Sequence, residues 1–172
     1  TANTVYYILL AGYSSSDYGA FTITATCPTP PTNDNCSAAT PLTVNSSLTC
    51  TTTTTGTTIN ATQSQAGCTG TADDDVWYSF QATATSHVIT VTPGTLSDAV
   101  FEVFSGTCAG TLTSLICQNA TSGTSAETVT LTGLTINTVY LVRVHSNGNA
   151  TGQGTFTICV STDNVAPTVS TY

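Results

Sequence analysis

The chain has 172 residues, one Lys or Arg against nine Asp or Glu, and charged residues at only 6% of positions, against about 25% in an ordinary soluble domain. With Arg143 as the only cation, no basic patch able to neutralise phosphates can be assembled, which excludes nucleic-acid binding. No apolar run approaches the roughly 18 residues of a membrane-spanning helix, so no membrane insertion is expected.

From the N-terminus, a strand is expected at 4–10 and another where Phe21, Ile23 and Ala25 alternate with Thr22, Thr24 and Thr26. A Pro-rich linker follows at 28–33. Further strands are expected at 57–61, at 76–81 where Val76, Tyr78 and Phe80 alternate with Trp77, Ser79 and Gln81, and at 87–92, 98–104, 112–117, 128–132, 138–145 and 155–160. Gly, Pro, Asn or Ser separates most of them, and no segment has a helical period. The 41 Thr and 17 Ser residues explain how so uncharged a chain stays wettable: Thr fits the pleated surface and turns a hydroxyl outward. Short strands at this spacing predict an all-β fold, an antiparallel β-sandwich of jelly-roll type.

Two ordered strands recur. Asn3-Thr4-Val5-Tyr6 returns as Asn137-Thr138-Val139-Tyr140 at an offset of 134, and Gly19-Ala20-Phe21-Thr22-Ile23 is echoed by Gly154-Thr155-Phe156-Thr157-Ile158 at an offset of 135. The pattern divides the chain into 1–27, the last two strands of a preceding module or a pair of donated strands; 28–33, the linker; 34–160, a complete module; and 161–172, a linker or tail. A lone two-stranded hairpin is marginal in water, and this one carries Val5, Tyr6, Tyr7, Ile8, Leu9 and Leu10 with Phe21 and Ile23. Its apolar face needs cover from adjoining modules of the same polypeptide or from copies of the chain by strand addition.

Several stretches carry a family resemblance: Asn33-Asp34-Asn35-Cys36-Ser37-Ala38-Ala39, Asp74-Asp75-Val76-Trp77-Tyr78-Ser79-Phe80, 98–108, Thr130-Leu131-Thr132-Gly133-Leu134 and Phe156-Thr157-Ile158-Cys159-Val160. Over 34–160 the sequence resembles a tandem module of secreted Bacteroidota surface proteins, a relative of the bacterial pre-peptidase C-terminal domains. The resemblance implies a β-sandwich that recurs along exported adhesins or as an appendage of secreted hydrolases, many of them exported by the type IX route.

Seven Cys without a C-x-x-C pair argue for disulfides and an oxidising, extracytoplasmic setting. Spacing suggests Cys108 with Cys117 across a hairpin and Cys50 with Cys68 around the Thr-rich loop. Cys36 is left for Cys159 or Cys27, and the repeat favours Cys159. Asp73-Asp74-Asp75, with Asp34, Asp98 and Glu102 as further oxygen donors, is the candidate calcium site, because so many carboxylates have almost no cation to offset them. The alternative is a solvated acidic turn. His87 and His145 lie in strand patterns away from any nucleophile signature and read as surface or half-buried residues, without a catalytic role. Arg143 is expected to pair with an acidic residue across the sheet. Trp77 is either core or a sugar-stacking platform. Asn35, Asn45, Asn60, Asn119 and Asn149 head N-glycosylation triplets, and Thr51 to Thr55 is an O-glycan candidate. The expectation from these features is a non-enzymatic repeat of an extracellular, cell-surface filament, stalk or adhesin. The competing reading is a carbohydrate-binding or calcium-stabilised accessory domain of a secreted hydrolase, with surface glycans as partners.

Overall fold

The computed structural model describes residues 5–26, 28–148 and 150–162. Ten strands form two five-stranded sheets. They are β1 (Thr40–Pro41), β2 (Val44–Asn45), β3 (Thr54–Thr57), β4 (Val76–Gln81), β5 (Ser86–Pro93), β6 (Ala99–Gly106), β7 (Leu112–Gln118), β8 (Glu127–Thr132), β9 (Val139–Ser146) and β10 (Thr155–Thr162). The first sheet has the order β1-β4-β9-β6-β7; the second has β2-β10-β5-β8, with β3 also paired to β10. Apart from the parallel pairs β1/β4 and β2/β10, every pairing is antiparallel. The two helical elements are single 3-10 turns, Cys36–Ala38 and Ala150–Gly152.

Of the seven connections from β3 to β10, only β6 to β7 joins neighbours in one sheet, while the other six cross between sheets. Consecutive apolar segments therefore face each other across the sandwich. Val76, Tyr78, Phe80, Phe101, Val103, Tyr140, Val142 and Val144 from one side meet Ile89, Val91, Leu131, Phe156, Ile158 and Val160 from the other in one continuous core. In the second sheet the alternation survives on β5 and β8, whereas the second half of β10, from Ile158 to Thr162, is buried on both faces. Thr128, Thr130 and Thr132 stand outside on β8, and Thr90 meets Thr128 across the strands at 3.1 Å between hydroxyl oxygens. In the first sheet it does not, because β4, β6 and β9 are buried on both faces. The outer face of that sheet is covered by the segment around Cys36 and by the connection 58–75. In β7 an extra residue, Leu115, lies between the positions opposite Val103 and Phe104, a bulge that leaves it 42% exposed.

Three expected elements differ. The strand at 57–61 ends at Thr57, and 58–61 is a turn closed from Ala61 N–H to Thr58 C=O, with Asn60 in the left-handed region at φ 64°. Neither 5–10 nor 21–26 belongs to a ladder among the described residues. The Pro-rich stretch enters the fold at Pro31, whose C=O accepts from Asp34 N–H, and Asn33 is buried with its amide on Trp77 C=O.

Three disulfides join Cys36 to Cys108, Cys50 to Cys159 and Cys68 to Cys117, none of them a pairing expected from spacing. The crossing connections explain the difference. Cys117 lies opposite Glu102, a hairpin's length away from Cys108 beyond Gly106. Cys159 points out of the second sheet, between core residues Ile158 and Val160, whereas Cys36 packs on the outside of the first. Cys50 is likewise tied to the second sheet and Cys68 to the first. Cys27 lies outside the described residues. Two bridges fasten an irregular segment to a strand, Cys50 to β10 and Cys68 to β7, while Cys36 is tied to the turn between β6 and β7; the bridges close spans of 109, 49 and 72 residues.

Two consequences are measurable. Non-reducing peptide mapping should recover these three pairs, and not Cys108 with Cys117 or Cys50 with Cys68. Replacing Cys50 and Cys159 together by Ser should lower unfolding free energy in urea by about 2–5 kcal/mol.

Candidate functional site

The concentration of ionisable groups lies on the outer face of the first sheet, under the 58–75 connection. Arg143 on the central strand β9 stands directly opposite Trp77 on β4 and Glu102 on β6. Its Nη2 donates to Glu102 Oε2 at 2.7 Å and its Nη1 to Asp75 Oδ2 at 3.2 Å, with all three side chains almost wholly removed from solvent. The guanidinium also donates to two carbonyls of the covering connection, Gln65 at 3.0 Å and Ala66 at 2.9 Å. It lies 5.8 Å from the Trp77 ring centroid and 5.7 Å from that of Phe104. Asp75 extends the network by accepting from Ser64 N–H at 3.1 Å and Ser64 Oγ at 2.8 Å, and Ser64 Oγ in turn accepts from Trp77 Nε1 at 2.9 Å.

Two carboxylates thus share one cation in a dry site. Burial pushes the Asp75 carboxyl above its ordinary range, opposed by the Ser64 hydroxyl and the Arg143 charge. His145, two residues along the same face, is fully buried and its Nδ1 contacts Ser146 C=O at 2.7 Å. Burial, aided by the Arg143 charge, holds its imidazole below the ordinary value. His87 is also fully buried, with Nε2 accepting from Thr83 N–H at 3.0 Å, and burial lowers it too. Both histidines were expected at or near the surface. Each lies on a face that is covered, which the strand period alone does not reveal. Among the described residues, neither ring is hydrogen-bonded to a hydroxyl or thiol.

The six carboxylates of the expected calcium site do not converge. Among the described residues, no group of three or more Asp, Glu, His or Cys side chains is arranged to hold a metal. Asp75 and Glu102 are taken up by Arg143. Asp34 instead pins the turn at Thr62, accepting from its N–H at 2.6 Å and its hydroxyl at 2.8 Å. Asp74 Oδ1 accepts from Ser146 N–H at 2.9 Å, and Asp98 Oδ2 from the Asn147 amide at 3.0 Å. One oxygen each of Asp73, Asp74 and Asp98 is buried without a hydrogen-bond partner. Burial raises the Asp74 carboxyl against the opposing Ser146 backbone bond.

Trp77 is 1% exposed and packs with Phe104 and Leu141, so it offers no sugar-stacking surface. Beside this cluster is a cavity of about 670 Å³, bordered by Ala39, Ser79, Thr138, Val139, Leu141 and the Cys36 to Cys108 bridge. Among the glycosylation candidates, Asn45 is buried with its amide on Thr52 C=O and Val160 C=O, which leaves no room for a sugar. Asn119 donates its amide to Asn147, Asn35 and Asn60 are exposed, and Asn149 lies outside the described residues.

A fully buried group that sequence reading passed over is Glu127 at the start of β8. It accepts from Gln118 Nε2, Ala120 N–H, Thr121 N–H and Thr121 Oγ1 and so ties the β7 to β8 connection together. Burial raises its pKa, but the Thr121, Ala120 and Gln118 hydrogen bonds outweigh that and hold it below the ordinary 4.5. No motif marks it in the sequence.

The family model described as galactose binding domain-like, associated with type IX secretion, matches residues 32–158. The chain belongs to this family. The match covers the sandwich from ahead of β1 into β10, ending just before Cys159, and leaves out the exposed N-terminal segment. Among solved structures, the pre-peptidase C-terminal domain of collagenase from Bacillus anthracis is similar at 17% identity and a TM-score of 0.46, over 71% of this chain and 93% of that one. No functionally curated protein matches. A secretion-associated family and three disulfides mark a secreted chain of oxidising surroundings.

Arg143→Leu should cost about 3–5 kcal/mol in urea unfolding, because Asp75 and Glu102 are then buried without a counter-charge. Adding Asp75→Asn and Glu102→Leu should recover much of the loss. Glu127 has a pH signature. With its folded pKa depressed, its stabilisation is complete above the ordinary 4.5 and is lost as pH falls through the lower folded value. Melting curves between about pH 3 and 6 should therefore lie closer together in Glu127→Gln than in the parent.

Proposed function

We propose that this chain is a non-enzymatic structural module of an extracellular filament, stalk or cell-surface adhesin, joined to neighbouring modules in a linear array. One observation carries the reading: a sandwich closed by three disulfides is attached to an apolar segment that it does not cover. Tyr7 is 95% exposed, Leu9 93%, Tyr6 71%, Ile8 69%, Phe21 65% and Ile23 52%. Exposed patches of this kind on a secreted chain mark an interface. The scarcity of charge removes the usual guard against edge-to-edge pairing, and the disulfides give durability outside the cell. Adjoining modules are the natural partners, and the buried histidines and carboxylates are used to hold loops to sheets.

A second reading, the calcium-stabilised or glycan-binding accessory domain, is favoured by the unpaired buried oxygens of Asp73, Asp74 and Asp98 and by the galactose-binding character of the family. Negative-stain micrographs of the native material separate the two. Regular filaments or beaded stalks are expected. Dispersed particles that bind a neutral glycan and melt higher with calcium than with a chelator would overturn the structural reading.

A further inference from the structure

The sequence repeat acquires a different meaning once β9 and β10 are placed. At an offset of 134, Val5–Leu10 correspond to Val139–Val144 in β9, and at 135, Gly19–Thr26 correspond to Gly154–Ser161, which enter β10. β9 and β10 are not partners. β9 is the central strand of one sheet, between β4 and β6, while β10 lies in the other, between β5 and the short strands β2 and β3. The segment joining them is therefore an arch over the end of the sandwich, not a hairpin turn. Residues 5–26 have the same character: the described legs form no ladder with each other, and a groove of about 510 Å³ between them is lined by Leu10, Asp17, Tyr18 and Phe21 among others.

We propose that residues 5–26 are the β9 and β10 legs of a second sandwich of this fold, one that carries uncharged side chains where this chain has Asp75 and Glu102. The inference deepens the array reading and rests on it for the existence of a neighbouring module. Equivalent positions match face by face. Tyr140, Val142 and Val144 are buried in the core, as are Phe156, Ile158 and Val160; their counterparts Tyr6, Ile8, Leu10, Phe21, Ile23 and Ala25 are all apolar. On the second leg the faces are unambiguous, since Thr22, Thr24 and Thr26 fill the alternate places.

Charge selects the occupant. The residue at the Arg143 place is Leu9, 93% exposed in this chain. Inserted beside a copy of β4 and β6, Leu9 would leave two buried carboxylates without their cation, a loss of several kcal/mol. A second copy of this chain is excluded for that reason, and because its own β9 and β10 already fill both sheets. The partner is a related module with an apolar or neutral outer face and without the Cys159 bridge, whose place Thr24 takes.

The test uses full-length variants. In the first, Thr155–Ser161 receive the residues 20–26 in register (Thr155→Ala, Cys159→Thr, Val160→Ala, Ser161→Thr, with Cys50→Ser). In its control the same positions receive residues 19–25, which puts Thr22 and Thr24 in the core places of Ile158 and Val160. In the third, Val139–Val144 receive residues 5–10 (Leu141→Tyr, Val142→Ile, Arg143→Leu, Val144→Leu), with and without Asp75→Asn and Glu102→Leu. Relative to Cys50→Ser with Cys159→Ser, the first variant should melt cooperatively within about 10 °C. The shifted control should show no cooperative transition. The β9 graft should fold only when the two acidic partners are replaced. Hydrogen exchange on the parent chain should find 5–10 and 19–26 unprotected while β9 and β10 are protected. In-register grafts no more stable than the shifted one, a β9 graft indifferent to Asp75 and Glu102, or strong protection of 5–26 in the parent would each overturn the proposal. Filaments in native material combined with failed grafts would remove this inference and leave the array reading standing. Dispersed particles combined with successful grafts would overturn the array reading and, with it, the neighbouring module, leaving only the structural equivalence of 5–26 with β9 and β10.

Discussion

The guanidinium of Arg143 holds together parts of the molecule that have no other reason to meet. It sits at the middle of β9, reaches Glu102 on the flanking strand β6, Asp75 just ahead of β4 and two carbonyls from the connection above, and lies against two aromatic rings. A buried ion pair is a poor source of net stability compared with apolar packing, since desolvating the charges costs nearly what their attraction returns. Its value here is positional. The covering connection carries little apolar surface of its own, and the directed bonds to Gln65, Ala66 and, through Asp75, Ser64 decide where it lies. The Cys68 to Cys117 bridge fastens the same connection a few residues later.

That arrangement accounts for the asymmetry of the two sheets. The second sheet faces water across a surface of Thr hydroxyls, so its strands keep a period of two and remain wettable without charge. The first is roofed over, and its central strands are buried on both faces in spite of containing His, Arg, Glu and Asp. Concentrating nearly all the buried charge under one roof leaves the rest of the exterior almost neutral.

The crossing connections link fold, bridges and assembly. Because successive strands alternate between sheets, the ends of the chain's last two strands lie in different layers, and a segment copying them needs both layers of a neighbour to be satisfied. Such an interlock differs from strand addition at an edge. In the proposed array it would fill two central positions and make each module's core depend on its neighbour.

The sequence by itself determined the all-β architecture, most strand positions and the inward and outward residues of the second sheet, because a period of two with Thr outside is a local signal. It also singled out Arg143, since a lone cation among carboxylates has to be near them. What only the tertiary structure decided was partnership across distance. Cysteine spacing favours near neighbours along the chain, whereas crossing connections bring Cys50 to Cys159 over a separation of 109 residues. The run Asp73-Asp74-Asp75 reads as one acidic site, yet Asp74 turns to the Ser146 backbone and Asp75 to Arg143, because the chain turns at Asp73 and Asp74 just before β4 begins. The burial of His87, His145 and Trp77 depends on what covers each face, and the covering segments come from elsewhere in the chain, beyond the reach of any local pattern.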